Sequence, residues 1–145
     1  EALALYDGLV LASHCNTRAL VPRQRQLTDE QIREVASRGG VVGAALDCWM
    51  LDPDWIRGQA HNEVTLSRVV DHIEHVCELT GSAAHAGIGS DLDGGFGREQ
   101  TPIDVDTVAD LQAVAELLSA RGYSGDDVES VMHGNWLRVL ADVLP

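Results

Sequence analysis

The chain has 145 residues, 45% of them hydrophobic and 23% charged, a balance that belongs to a folded globular domain and not to a disordered segment. Its formal net charge of -13 would repel a phosphate backbone, and no Lys/Arg stripe overrides it, so nucleic-acid binding is excluded. No apolar run approaches the roughly 20 residues that cross a bilayer, and no basic segment precedes the apolar start, so neither a membrane segment nor a targeting signal is expected.

The predicted elements follow in chain order. Residues 1–6 look like the tail of a helix, and residues 8–12 form a short apolar run that reads as a buried parallel strand ending on Ser13-His14-Cys15-Asn16. Thr28, followed by Asp29-Glu30-Gln31, marks a helix start, and Ile32, Val35 and Ala36 continue it to Gly39-Gly40. Residues 41–46 are a second strand, closed by Asp47 and followed by a long loop containing Pro53 and Gly58. Leu66, Val69, Val70, Ile73, Val76 and Cys77 recur at helical spacing, so residues 65–79 are an amphipathic helix stopped by Gly81. A third strand over 86–89 runs into Ser90-Asp91-Leu92-Asp93-Gly94. Helices over 105–120 and from Ser124 to about Leu144 complete the chain, with Trp136, Leu137, Val139 and Leu140 expected in the core.

Short strands that are apolar on both faces and alternate with helices demand parallel pairing with helical crossovers. A (β/α)₈ barrel takes about 250 residues, so three strand-helix units plus a final helix fit the last three staves of a TIM-like barrel. The expected organisation is one partial domain over residues 1–145. An open doubly wound sheet is the alternative, but no strand is followed by its G-x-G-x-x-G turn.

In parallel α/β folds chemistry lies at the carboxyl ends of the strands, here at His14, Asp47 and Asp91. His14 is either a metal ligand or a hydrogen-bonded loop histidine. Asp91 and Asp93, among Gly87, Gly89, Gly94 and Gly95, either relay protons or bind metal, or cap their own turn. Arg18, Arg23 and Arg25 crowd one loop in a chain with only ten basic residues, which suits a carboxylate ligand as well as a solvated loop. His72 and His75 lie three apart on the amphipathic helix, a spacing that suits a metal, but they flank its stripe and read as structural or surface residues, and His61 and His133 as loop and helix-surface residues. Trp49, Met50 and Trp55 either line an apolar pocket or pack their loop. Cys15, Cys48 and Cys77 are odd in number and widely spaced, so no disulfide framework or zinc knuckle is expected, and a reducing cytoplasm fits.

Five segments, spread over essentially the whole chain, resemble the membrane (renal-type) dipeptidase family of zinc peptidases. Residues 12–19, A-S-H-C-N-T-R-A, are similar to the family's S-H-S-N-x-R-A, and residues 25–32, R-Q-L-T-D-E-Q-I, to its R-N-L-x-D-E-Q-I. Residues 71–76, D-H-I-E-H-V, match a D-H-I-D-H-I helix that is structural in the family. Residues 87–94, G-I-G-S-D-L-D-G, resemble G-I-G-S-D-F-D-G, and residues 134–139, G-N-W-L-R-V, its closing G-N-x-L-R-V. The resemblance implies a barrel with two zinc ions that cleaves a dipeptide by attack of a metal-activated water. It implies His14 as a ligand of one zinc, Arg25 as the holder of the substrate carboxylate, and Asp91 as the donor of a proton to the leaving nitrogen. The family's H-x-D pair, bridging glutamate and first zinc-ligating histidine have no counterpart in these 145 residues, so His14 is the only one of the five usual ligands expected here. Two outcomes follow. The chain is part of a zinc dipeptidase whose amino-terminal half is missing or supplied by another chain, or it is a barrel fragment that folds or associates, as a homo-oligomer for example, without catalysis.

Overall fold

The computed structural model describes residues 5–58 and 63–144. Helix α1 spans Asp29–Ser37 and opens with a reciprocal capping box between Thr28 and Gln31. Strand β1 covers Val42–Ala44, and a one-turn helix α2, Cys48–Leu51, starts directly after it with Asp47 as its cap. Helix α3, Leu66–Thr80, is the longest element and buries the apolar stripe that its period predicts: Leu66, Val69, Val70, Ile73, Val76 and Cys77. Gly81 ends it in the left-handed conformation. Strand β2 covers Ala86–Ile88.

A 3₁₀ segment, Val108–Gln112, runs into helix α4, Ala113–Ala120, so the expected helix over 105–120 becomes regular only in its second half. Helix α5, Gly125–Glu129, passes through one π turn, Ser130–Gly134, into helix α6, Asn135–Val143. The last helix is therefore continuous but carries an inserted residue. Asn135, at the exit of that turn, is buried and donates from Nδ2 to the carbonyls of Ala83 and Ala86, both at 2.7 Å.

Strands β1 and β2 pair in parallel, Val42 with Ala86, Gly43 with Gly87 and Ala44 with Ile88. The segment leading to His14 joins the other side of β1 through the parallel bridge of Ala12 with Val42. The expected first strand is thus reduced to a bridge. Its ladder runs correctly from Ala12 N–H to the Val41 carbonyl at 2.9 Å and from Gly43 N–H to the Ala12 carbonyl at 2.8 Å. The next partner of the Gly43 carbonyl in a regular parallel ladder is the His14 N–H, yet Cys15 N–H fills it at 2.7 Å. One extra residue has been inserted at Ser13-His14, a β-bulge that ends the regular strand.

The core lies between the sheet and the helices, with Ile32, Leu46, Leu66, Val70, Ile73, Val114 and Leu118 essentially sealed from solvent. Trp136 packs its ring over Gly43 and Gly87, and its indole N–H donates to the Ile88 carbonyl at 3.0 Å. Val139 is buried, but Leu137 and Leu140, expected in the core, are 61% and 45% exposed. The helical period that turns Asn135, Trp136 and Val139 onto the sheet carries those two leucines to the outer face. Among the described residues no helix is long and apolar enough to cross a membrane.

Candidate functional site

Every strand-end residue singled out by the sequence sits beyond the carboxyl edge of the same parallel sheet, because Ala12, Val42 and Ala86 are level in register. Two departures from regular strand geometry occur there. The first is the Ser13-His14 bulge. The second is its counterpart on β2: a regular ladder sends the Leu46 N–H to the Gly89 carbonyl, yet it donates to the Ser90 carbonyl at 3.0 Å. Both strands therefore carry one extra residue where they end, at Ser13-His14 and at Gly89-Ser90, a device that re-aims a side chain and ends pairing.

The two irregularities meet. The Ser13 carbonyl oxygen lies over Gly43 and Gly89, so close that a Cβ on either glycine would overlap it. Glycine at these positions is a requirement of the bulge, since only a missing Cβ admits the carbonyl. Beyond Gly89, Asp91 and Asp93 adopt φ of 56° and 67°, left-handed values that are uncommon outside glycine. The Asp91 carbonyl accepts from Gly94 N–H at 2.9 Å, and its carboxylate rests against the Gly94 backbone, which again leaves no room for a side chain there. Aspartate tolerates this conformation better than most side chains, and here it turns the chain sharply at the sheet edge.

His14 is half-buried and its Nδ1 is engaged by the Ser13 hydroxyl at 2.8 Å, leaving Nε2 without a partner among the described residues. The three loop arginines have separated in role. Arg18 donates to the carbonyls of Arg23, Gln24 and Gln26 at 3.2, 2.8 and 2.7 Å. Arg23 donates to Trp49 and Pro53 carbonyls at 3.0 and 2.9 Å and stacks on the Trp49 ring at 4.6 Å. Both hold loops together. Arg25 is exposed, and it donates from Nη2 to the His14 carbonyl at 3.0 Å and from Nη1 to the Cys15 sulfur at 3.5 Å. The structure thus brings Arg25 onto the His14 segment.

Asp47 is a structural cap: Oδ1 accepts from Trp49 N–H at 2.9 Å and from the buried Gln100 amide at 2.7 Å. Asn16, which sequence reasoning passed over, staples the site. It is buried, its Oδ1 accepts from Ala45 N–H at 2.8 Å, and its Nδ2 donates to the carbonyls of Ala45 and Met50 at 3.1 and 3.2 Å. Its match to the asparagine of the S-H-S-N-x-R-A segment was the signal available. Burial of Cys15 raises its thiol pKa despite the nearby Arg25 guanidinium, which keeps it neutral.

His72 is only 2% exposed, and its Nδ1 accepts from the Thr17 N–H at 3.2 Å and lies 3.0 Å from the Thr17 hydroxyl. Burial pushes its pKa down to about 4, so it is a neutral ring tying helix α3 to the loop beyond His14. His75 meets Asp29 at 2.9 Å, linking α3 to the first turn of α1. Both histidines are structural here. Arg138 donates to the carbonyls of Gly39 and Ala84 at 2.8 Å each, which gives the closing G-N-W-L-R-V segment a structural use as well. His133 is exposed on the π turn, and His61 lies outside the described residues.

For a metal, His14 offers a nitrogen donor of the right kind, with its second ring nitrogen held as ligating histidines usually are. Among the described residues, however, no group of three or more His, Cys, Asp and Glu comes together. One imidazole is a fragment of a metal site, since zinc takes three or four protein ligands.

The family model for membrane dipeptidase (peptidase family M19) matches residues 2–144. A protein encoded 5′ of pqqA in Klebsiella pneumoniae is 34% identical over 92% of this chain and 46% of its own length. Dipeptidase aclJ of Aspergillus oryzae is 37% identical over 92% of this chain and 30% of its own. Among solved structures, a dipeptidase of metallopeptidase family M19 superposes with a TM-score of 0.81 at 30% identity, covering 95% of this chain and 38% of that one. A Rhodobacter sphaeroides metallopeptidase, liganded with a phosphinate mimic of the dipeptide L-Ala-D-Ala, superposes with a TM-score of 0.82 at 29% identity, covering 96% and 37%. The chain therefore spans less than half the length of these relatives. Its fold is the α/β fold of metallopeptidases of this kind. The chain belongs to the membrane dipeptidase family, peptidase family M19.

Proposed function

We propose that these residues form part of the active site of a metal-dependent dipeptidase, in which His14 ligates a metal ion, Arg25 holds the substrate carboxylate and Asp91 protonates the leaving nitrogen. The observation that carries the reading is the division of labour among the arginines. Arg18 and Arg23 are half-buried and reach across to loop carbonyls, whereas Arg25 is the exposed one of the three and lies against the His14 backbone at the sheet edge. A dipeptide always offers a free carboxylate, and a guanidinium fork holds one bidentately. The shared sheet edge and the paired bulges support a joint role for the segments of His14 and Asp91.

The metal is zinc, two ions in the complete site, and the other ligands come from parts of the full-length protein outside these residues. When bound, the metals polarise the scissile carbonyl and lower the pKa of water. His14 contributes Nε2, oriented by the Ser13 hydroxyl on Nδ1. Arg25 fixes the carboxyl end of the substrate, which positions the scissile bond relative to the sheet edge. Asp91 gives its proton to the departing amine, since an amide anion is too poor a leaving group to depart unprotonated.

In the same reading residues 1–145 are the carboxyl-terminal part of one barrel domain: three strand-helix units of a TIM-like (β/α)₈ barrel and a final helix. Leu137, Leu140 and Leu144, exposed on and just beyond α6, support association with the rest of the barrel or with a second copy. Three free, buried cysteines fit a reducing compartment such as the cytoplasm.

The test is Arg25→Ala in the full-length protein. A lost charge-assisted pair is worth roughly 1.5–3 kcal/mol, about ten- to a hundred-fold in kcat/KM for free dipeptides. Dipeptide amides, which lack the anion, should show a much smaller loss, and Arg25→Lys should recover only part. Equal losses on acid and amide substrates would make Arg25 structural.

A further inference from the structure

We propose that the cavity beyond β1, walled by Trp49, Trp55 and Ile56, receives the side chain of the dipeptide's carboxyl-terminal residue and selects a large, neutral, apolar or aromatic one. The inference rests on the dipeptidase reading and adds the substrate class to it. The cavity has a volume of about 520 Å³ and is completed by Asp47 and Arg57. Small-molecule sites fall in this size range and have this composition, aromatic walls with a few polar groups at fixed positions.

Its walls are held before any ligand arrives. Trp49 is locked from behind by Arg23, which stacks on the ring at 4.6 Å and donates to the Trp49 carbonyl. Trp55 is 4% exposed and fixed in the core cluster. Asp47 has its carboxylate engaged by Trp49 N–H and Gln100, so this polar group of the lining is already in use as a cap. Arg57 and Asp47 carry opposite charges, so the cavity offers no net charge for an ionic side chain. What remains is the Trp49 ring and the Ile56 side chain over a largely buried Trp55, a lining that gains most from burying a flat or branched hydrocarbon group.

The position identifies which residue of the substrate enters. Arg23 joins the Trp49 loop to the arginine loop, Arg25 lies two residues further on, and Asn16 and Gln26 both donate to the Met50 carbonyl, at 3.2 and 2.7 Å. The pocket and the carboxylate clamp are thus two parts of one stapled unit. A carboxylate held at Arg25 belongs to the carboxyl-terminal residue, so the neighbouring pocket takes that residue's side chain.

Full-length protein is assayed with Ala-Ala, Ala-Phe and Phe-Ala, comparing wild type with Ile56→Trp. Ile56 is 70% exposed at the cavity, so a larger side chain fills the space without entering the core. The expected ratio of kcat/KM for Ala-Phe over Ala-Ala is about tenfold or more in wild type and falls toward one in the variant. The Phe-Ala to Ala-Ala ratio should stay put. An Ala-Phe preference unaffected by Ile56→Trp overturns the pocket while leaving the dipeptidase reading intact, and a variant that changes the Phe-Ala ratio instead overturns the carboxyl-side assignment. Calorimetric titration of chelator-treated protein separates the two readings when no dipeptide is cleaved: tighter binding of Ala-Phe than Ala-Ala that Ile56→Trp abolishes supports the pocket, and equal binding overturns it.

Discussion

Acid should loosen this fold through one histidine. His72 is neutral in the folded state with a pKa lowered by burial from 6.5 to about 4, while in the unfolded chain it titrates at its ordinary value. Between those two pH values the unfolded state binds the extra proton, so stability is complete above pH 6.5 and is lost as pH falls toward 4. At 1.36 kcal/mol per unit, the loss from this group reaches about 2 kcal/mol at pH 5 and about 3 kcal/mol at pH 4. Carboxylates titrate in the same range, so the measurement is a difference: urea unfolding midpoints from pH 7.5 to 4 for wild type and for His72→Gln, whose side-chain oxygen can accept from Thr17 N–H but takes no proton. The variant should be less stable at neutral pH and should show a shallower decline with acid. Parallel pH profiles for the two proteins would refute the buried neutral imidazole.

The glycine pair beneath the bulge supplies a second test. Gly89→Ala drives a methyl group into the Ser13 carbonyl and should cost about 3 kcal/mol or more, because backbone on both sides must shift. Gly125→Ala, at a helix start with open space around it, should be neutral or stabilising by less than about 1 kcal/mol, and thermal unfolding compares the two directly.

Periodicity and caps were legible wherever an element is governed by its own side chains. Helix α3 came from the spacing of Leu66 to Cys77, and α1 from Thr28 and Gln31, since burial and capping are local properties that leave a pattern. The structural roles of His72 and His75 were readable from their place beside that stripe. The arginine loop shows the limit: Arg18, Arg23 and Arg25 are chemically alike, and only long-range carbonyl partners such as Trp49 and Pro53 separate clamps from the exposed fork. The bulges were hidden for a similar reason. An inserted residue is defined by the ladder on the neighbouring strand, and the trace it leaves is the placement of glycine at 43 and 89 under the Ser13 carbonyl. Leu137 and Leu140 were misplaced because a motif with apolar residues on several sides of a helix does not say which side meets the sheet.

The most direct test of the account is Asp91→Asn in the full-length, metal-loaded protein, with metal content and steady-state kinetics on a free dipeptide measured together. The amide keeps the shape of the carboxyl group but has no acidic proton to give the leaving nitrogen. Metal content should be unchanged, KM nearly so, and kcat should fall by about a hundred-fold or more, the range expected for loss of a general acid. An unchanged kcat with full metal occupancy would contradict the account and reduce Asp91 to a turn residue.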